Sequence, residues 1–222
     1  MAVLQERIGG QRVEAMIKDQ PLTVFLEGEK DAPEGFKISS SLIKYITEQN
    51  PRILNRIEIL DEHSEHLFRS ERKRNSVSTE FWKTQIKNDG EFLREQFEGM
   101  EFPFTAKNEI SDAYSKLCKK RGKEEVLVEV SLDEGSAGQQ VAFLSQSGKA
   151  DVIGSVRKCL ISEFTDQAIL SRNEARMEEV DKILESNSGN FLRALRDSRE
   201  FSHKEVRPVI VVREMTQLHP GN

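Results

Sequence analysis

The chain alternates short, nearly continuous apolar runs with longer stretches in which apolar residues recur every three or four positions. Uninterrupted runs rich in β-branched and aromatic residues are typical of strands that are covered on both faces. Five such runs predict strands: residues 22–28 (LTVFLEG), 55–62 (NRIEILDE), 124–132 (EEVLVEVSL), 150–156 (ADVIGSV) and 207–214 (RPVIVVRE).

Between these runs the apolar spacing is helical, and Ser, Gly and Pro stand at the expected ends. Residues 3–17 have a loosely helical spacing that Gly9 and Gly10 interrupt. The other predicted helices span residues 37–51, 78–99, 109–122, 137–148 and 164–197, the last with a break at 186–190. Trp82 falls on the apolar face of its helix, so we expect it in the core.

Strands that alternate with helices favour an α/β protein with an open, mostly parallel, Rossmann-like or flavodoxin-like sheet and helices on both faces. We expect a single domain over residues 1–222, in which the helical segment 164–200 serves oligomerisation. Ligands of such folds collect at the carboxyl ends of strands. Those ends are Gly28, the stretch 60–66 (LDEHSEH) and the turn at 132–138 (LDEGSAG).

Composition, charge and missing motifs argue against several classes of function. The 222 residues are 36% hydrophobic and 32% charged, with a formal net charge of -5, which argues against generic binding to nucleic acid. The two cysteines are too few for a disulfide framework, and neither a signal sequence nor a membrane span is present, so a cytoplasmic chain is expected. The Walker A, nucleophile-elbow, C-x-x-C and G-x-G-x-x-G motifs are missing, and no cofactor is implied.

The stretch "SLDEGSAGQQVAF", residues 131–143, is the strongest candidate site. Gly135 lets the backbone approach a ligand closely, and Ser136 can cap the helix that is predicted to follow. Asp133 and Glu134 add negative charge, which suits ribose hydroxyls better than phosphate. An ordinary strand-to-helix turn explains the same residues through turn chemistry alone.

The segments "VFLEG" (24–28) and "LVEVSLDEGSAGQQVAF" (127–143) together resemble the nucleoside 2-deoxyribosyltransferase-like family. The resemblance implies that Asp133 orients the sugar and that Gly28, Glu134, Gly135 and Ser136 bind the substrate. It also places Gln139 at the position of the family's nucleophilic glutamate. An amide cannot attack an anomeric carbon, so three alternatives stay open: the chain is catalytically silent, another carboxylate acts, or Gln139 replaces a native glutamate and the chain is otherwise an N-glycosidase.

Three functional hypotheses follow. The first is a nucleoside- or nucleotide-recognising protein of the deoxyribosyltransferase-like class that cleaves a base–sugar bond. The second is a non-catalytic nucleotide-sensing or scaffold subunit, which Gln139 favours, and the third is a purely structural interaction protein. The expected partners are a small-molecule nucleoside or nucleotide and further copies of the chain or an assembly, with no membrane and no nucleic acid.

Each of three other features has two interpretations, one as a functional site and one as ordinary structure. His63 and His66, with Asp61 and Glu65, either hold a metal ion or lie on a solvated helix start. The basic residues of 68–76 either contact a phosphate or are solvated. The apolar stripe of residues 174–201 is either a dimer interface or a helix packed on its own domain. The stripe comprises Met177, Val180, Leu184, Phe191, Leu192 and Leu195.

Overall fold

A computed structural model describes residues 23–26, 34–131, 141–186, 190–198, 202–205 and 208–215. Seven α-helices lie within these ranges: α1 Ser40–Glu48, α2 Pro51–Arg72, α3 Ser76–Gly99, α4 Phe104–Arg121, α5 Lys149–Ser162, α6 Asp166–Ser186 and α7 Phe191–Asp197. The described strands are β1 Thr23–Leu26, β2 Gly35–Ile38, β3 Val126–Ser131, β4 Ala142–Gln146 and β5 Val209–Glu214. A short 3-10 helix spans His203–Glu205.

The five described strands form one sheet in the order β1-β2-β5-β3-β4, and every neighbouring pair is antiparallel. The prediction of an open, mostly parallel, Rossmann-like sheet is therefore wrong. The last strand, β5, lies in the centre, where Val212 pairs with Phe36 of β2 on one side and with Val128 of β3 on the other. Most described residues outside the sheet are helical, so the protein is an α+β fold with a small antiparallel sheet.

The segment 55–62 lies inside helix α2 and is not a strand. Asn50 caps the helix by accepting hydrogen bonds from the backbone N–H groups of Arg52 and Ile53, and Pro51 occupies the first turn, where its missing N–H costs nothing. Seven residues of α2 are buried, and most of them follow one another at a spacing of three or four positions: Ile53, Ile57, Leu60, Ser64, Leu67, Phe68 and Ser70. The window 55–62 is shorter than the helix and hides this period.

The helix predicted at 137–148 and the strand predicted at 150–156 occur in the opposite order in the structure. Residues 150–156, predicted as a strand, lie in helix α5, while residues 142–146, predicted as part of a helix, form strand β4. Between them Gly148 has φ 90°, a backbone conformation that favours glycine, and its N–H donates a hydrogen bond of 2.8 Å to the hydroxyl of Tyr114. The turn at Gly148 thus separates strand from helix and is tied to α4.

Strand predictions at 22–28, 124–132 and 207–214 are confirmed as β1, β3 and β5. The helices predicted at 37–51, 78–99 and 109–122 are confirmed as α1, α3 and α4, and the predicted break near 186–190 separates α6 from α7. Strand β2 is not among the predicted strands, because Lys37 and Ile38 fall within the predicted helix 37–51. The helix predicted at 3–17 lies outside the described residues.

The main core lies between one face of the sheet and helices α1 to α6. The sheet contributes Phe36, Ile38, Val126, Val128, Val130, Ile210 and Val212 to it, and Trp82 packs against it as expected. A smaller cluster joins Phe68 of α2 to Val180 of α6 and Leu195 of α7. Most of the apolar stripe predicted for 174–201 packs within the chain in this cluster, whereas Leu192 is exposed.

None of the helices in the described ranges is both long enough and apolar enough to cross a membrane.

Candidate functional site

The sheet has a second face, which we call the outer face and define by Lys37, Leu127, Glu129, Val211 and Arg213. Successive side chains of a strand point to opposite sides, so these residues lie on the face opposite the core residues of β2, β3 and β5. Val211 and Glu129 are nevertheless buried, and Val211 belongs to neither hydrophobic cluster. Charged side chains on a covered sheet face are uncommon, which makes this face a candidate binding surface.

Glu129 and Arg213 form an ion pair on the outer face. In the register of β3 with β5, Glu129 lies opposite Val211 and Arg213 lies opposite Leu127, so the two charged residues are diagonal neighbours within reach of long side chains. The side chain of Glu129 is 8% exposed and that of Arg213 is 36% exposed. The carboxylate of the pair is therefore buried, whereas the side chain of Arg213 is partly accessible to solvent.

Lys37 adds a second positive charge to the outer face. It lies opposite Val211, which in turn lies opposite Glu129, so Lys37, Val211 and Glu129 form one row across β2, β5 and β3. Lys37 is partly exposed and forms no ion pair within the described part of the chain. Gly35 lies opposite Arg213 and is buried, and a Cβ there would stand 2.9 Å from Cα and from Cβ of Arg213.

Most of the segment 131–143, the strongest candidate site in the sequence, follows β3 directly along the chain. Glu129 is two residues from the end of β3, and residues 132–140 follow that end directly. Asp133, Glu134, Gly135, Ser136 and Gln139 all belong to that segment, and they lie outside the described residues, as does Gly28. Their role as a binding turn remains a prediction.

A second polar cluster is buried where α2, α6 and the 3-10 helix meet. Arg172 donates from Nε to Nδ1 of His203 at 3.1 Å and from Nη1 to Glu163 at 3.0 Å. Nε2 of His203 lies 3.0 Å from Oδ1 of Asn173, so the neutral ring that carries its proton on Nε2 satisfies both contacts. Asp61 accepts from the backbone N–H of His203 at 2.7 Å and caps the 3-10 helix.

Burial sets the pKa values in this cluster. Desolvation holds the pKa of His203 well below its ordinary value, and the positive charges of Arg172 and Arg176 act in the same direction. Desolvation also raises the pKa of Asp61 and of Glu163, although hydrogen bonds and nearby arginines oppose it. Every one of these groups fastens one element to another, so the cluster is a structural junction between α2, α6 and the 3-10 helix.

Each of the four residues that were weighed as metal ligands contacts another group. Asp61 caps the 3-10 helix, Glu65 accepts from Arg176 at 3.0 Å, and the ring of His66 stacks on Trp82 with centroids 4.5 Å apart. Nδ1 of His63 lies 2.6 Å from the buried carboxylate of Asp89, which also accepts from Arg56. Within the described ranges, no three His, Cys, Asp or Glu residues are grouped so that they could hold a metal ion.

The basic residues of 68–76 fall into two groups: some form ion pairs with acidic residues of the chain, and the others are exposed. Arg69 pairs with Glu65 on the same helix at 3.7 Å, and Arg72 pairs with Asp181 of α6 and lies over the ring of Phe191. These contacts fasten the end of α2 to α6 and α7. Lys73 and Arg74 are exposed where α2 turns into α3.

The fold and this site define an α+β domain whose antiparallel sheet is covered by helices on one face and carries paired charges on the other. Residues 27–217 match the family of the pyruvate phosphate dikinase AMP/ATP-binding domain. The match covers most of the chain, and the protein belongs to this family.

Curated relatives carry the names of larger enzymes. The chain is 29% identical over 170 residues to the phosphoenolpyruvate synthase of Helicobacter pylori, a match that covers 73% of this chain and 19% of that protein. It is 36% identical over 96 residues to a probable phosphoenolpyruvate synthase of Pyrococcus horikoshii, covering 40% of this chain and 12% of that protein. The chain thus spans less than one fifth of the length of these relatives.

The family assignment corrects the resemblance to nucleoside 2-deoxyribosyltransferases, which is wrong. The predicted N-glycosidase activity is therefore wrong, and so is the alternative of a nucleotide-sensing or scaffold subunit. The nucleophile position given to Gln139 and the sugar-orienting role of Asp133 depended on that resemblance. A small-molecule nucleotide as partner agrees with the family's description.

Sequence reasoning missed Lys37, Glu129 and Arg213. A signal for two of them is present, because Glu129 and Arg213 interrupt the apolar runs VLVEV and VIVVRE, where a charge is unexpected unless it has a partner. Lys37 carries no comparable signal, since β2 is only four residues long.

Proposed function

We propose that this chain is an adenine-nucleotide-binding domain. The observation that carries the proposal is the match of residues 27–217 to a family described as AMP/ATP-binding. The outer face supports it, because a phosphate chain needs cations that are accessible yet held on rigid elements. Lys37 and Arg213 are such cations, and both stand on central strands of the sheet.

In this proposal the phosphates lie over β2 and β5, and the segment 132–140, which follows β3 in the sequence, supplies further ligand contacts. Gly135 permits a close backbone approach, and the backbone N–H groups of the segment supply further donors to oxygen atoms of the nucleotide. Glu134 and Ser136 are then available for the ribose hydroxyls. These residues keep the binding role predicted from sequence, with a different chemistry.

The reaction class follows from the relatives rather than from the site. We propose that the bound nucleotide is a phosphoryl donor in an enzyme of the phosphoenolpyruvate synthase kind, of which this chain corresponds to a part. A phosphoryl donor must be held by its phosphates, since charge develops there in the transition state. This requirement fits cations on strands better than cations on loops.

We also propose a cellular location and a mode of self-association for this chain. Cys118 and Cys159 are free thiols, and burial raises the pKa of Cys159 to about 12, which keeps it unreactive. Free thiols suit a reducing compartment, so we propose a cytoplasmic location. Self-association is proposed through Leu192, the exposed member of the α7 stripe.

Isothermal titration of the chain with AMP, ADP and ATP, with Mg²⁺ present, tests the proposed function. We expect binding that weakens by about tenfold for ATP in Lys37→Gln, because one charge-assisted contact is lost. Lys87→Gln is the matched control, since Lys87 is an exposed lysine of α3. Absence of binding for all three nucleotides at millimolar concentration would contradict the proposal, and equal weakening in both variants would remove Lys37 from the site.

A further inference from the structure

The Glu129–Arg213 ion pair has a consequence for any anion that approaches the outer face. Glu129 is 6% exposed as a residue, so its carboxylate is largely removed from water and depends on its cationic partner. Arg213 is the residue that forms an ion pair with it among the described residues. A phosphate that binds Arg213 must therefore share the guanidinium with a carboxylate that has no other described cation.

Lys37 does not relieve this competition. It shares a row with Glu129, but Val211 stands between them, so the two charged Cα positions are two strand spacings, about 10 Å, apart. No ion pair joins the two residues in the described chain. Among the residues that the structure describes, the outer face thus carries Lys37, which has no ion-pair partner there, and Arg213, whose charge is paired with Glu129.

The guanidinium itself retains capacity for a ligand. Nε of Arg213 is buried and makes no hydrogen bond in the described part of the chain, although a guanidinium has five N–H donors. The side chain of Arg213 is 36% exposed, so an anion can reach it from solvent. An arriving phosphate oxygen would find donors on Arg213 but would also meet the negative charge of Glu129.

We infer that Glu129 limits the affinity of the outer face for polyphosphates by holding Arg213 in a competing ion pair. The inference rests on the proposed function in one respect only, namely that the anion is the phosphate chain of a nucleotide. Repulsion between Glu129 and the ligand grows with ligand charge, so the carboxylate disfavours ATP more than AMP and leaves adenosine unaffected. Glu129 is a specificity-determining residue for the number of phosphates.

The test measures equilibrium affinities of ATP, AMP, adenosine and inorganic tripolyphosphate for the unaltered chain and for Glu129→Gln. The substitution keeps an acceptor for Arg213 and removes the charge. We expect about tenfold tighter binding of ATP and of tripolyphosphate, a smaller gain for AMP and no change for adenosine. The matched control is Glu125→Gln, because Glu125 is exposed just before β3.

A second variant guards against a purely structural effect. In Glu129→Gln/Arg213→Gln the gain for ATP should disappear, since the guanidinium that Glu129 had occupied is gone. Circular dichroism and the melting temperature verify that each variant is folded. Unchanged or weaker ATP affinity in a folded Glu129→Gln chain overturns the inference while leaving the proposed function intact.

Different experimental results would overturn the inference about Glu129 and the proposed function. If tripolyphosphate binding tightens in Glu129→Gln but no nucleotide binds either chain, the inference stands and the proposed function fails. If neither ligand binds any variant, both are overturned.

Discussion

Gly35 lies where β2 passes closest to β5. A Cβ at this position would stand 2.3 Å from the carbonyl oxygen of Val212 and 2.9 Å from Cα of Arg213, both of them backbone atoms that cannot rotate away. We predict that Gly35→Ala forces the two strands apart and lowers the free energy of unfolding by about 1–3 kcal/mol. Urea denaturation measures the change.

Gly154→Ala is the control for that substitution. Gly154 lies inside helix α5 and a Cβ there meets no atom within 4 Å. Alanine should therefore stabilise the helix by up to about 1 kcal/mol. A Gly35→Ala chain as stable as the unaltered one would show that β2 and β5 do not approach each other as described.

The buried His203 makes the free energy of unfolding depend on pH. Its folded pKa is depressed below 6.5, so the unfolded chain binds a proton that the folded chain does not, and folding stability falls as the pH drops below about 6.5. The groups that face the ring are Arg172, Arg176, Asn173 and Ser64. We expect a loss of about 1.4 kcal/mol between pH 7.5 and 5.5 from this group.

Comparison with His203→Gln isolates the effect. Glutamine offers an acceptor to Arg172 and a donor to Asn173 but does not titrate. Asp61 and Glu163 have raised folded pKa values, so they favour the folded state as the pH falls, and their contribution is common to both chains. Parallel stability curves for the two chains over this pH range would refute the neutral, buried His203.

At the scale of elements, the α2–α3 pair depends on one buried carboxylate. Asp89 of α3 is 1% exposed and accepts from Nη1 of Arg56 at 2.9 Å, and its other oxygen lies 2.6 Å from His63. In Asp89→Asn the amide nitrogen faces one of these two donors. We expect a loss of about 1–3 kcal/mol in unfolding free energy, measured by urea denaturation.

Asp112→Asn provides the comparison for Asp89. Asp112 is exposed on α4, so its substitution should change stability by less than about 0.5 kcal/mol. Equal effects at the two positions would mean that Asp89 does not join α2 to α3.

The same elements show what the sequence permits one to predict. Helices α3 and α4 were predictable because each repeats its apolar period over several turns, and β3 and β5 because their runs are β-branched and apolar. Helix α2 was misassigned because RIEIL matches a strand over five residues, and the decisive period appears only when Leu67 and Phe68 are included. Strand β4 was missed because its residues alternate weakly and only its pairing with β3 makes it a strand.

At the scale of the molecule, the order of the strands was beyond sequence reasoning. Alternation of strands and helices favoured parallel pairing, yet β5 pairs with β2 across nearly the whole length of the chain. Long-range pairing depends on which apolar faces meet, and local propensity does not encode it. The outer face arises from that pairing, since Lys37, Glu129 and Arg213 come from three segments far apart in sequence.

The central claim is that the outer face binds the phosphates of an adenine nucleotide. The most direct measurement is an NMR titration of the isotopically labelled chain with ATP, following backbone and side-chain signals. We predict that the largest saturable changes in chemical shift occur at Lys37, Glu129 and Arg213, with the Nε–H signal of Arg213 among them. Saturable changes confined to the buried junction around His203, or to α2 and α3, would contradict it.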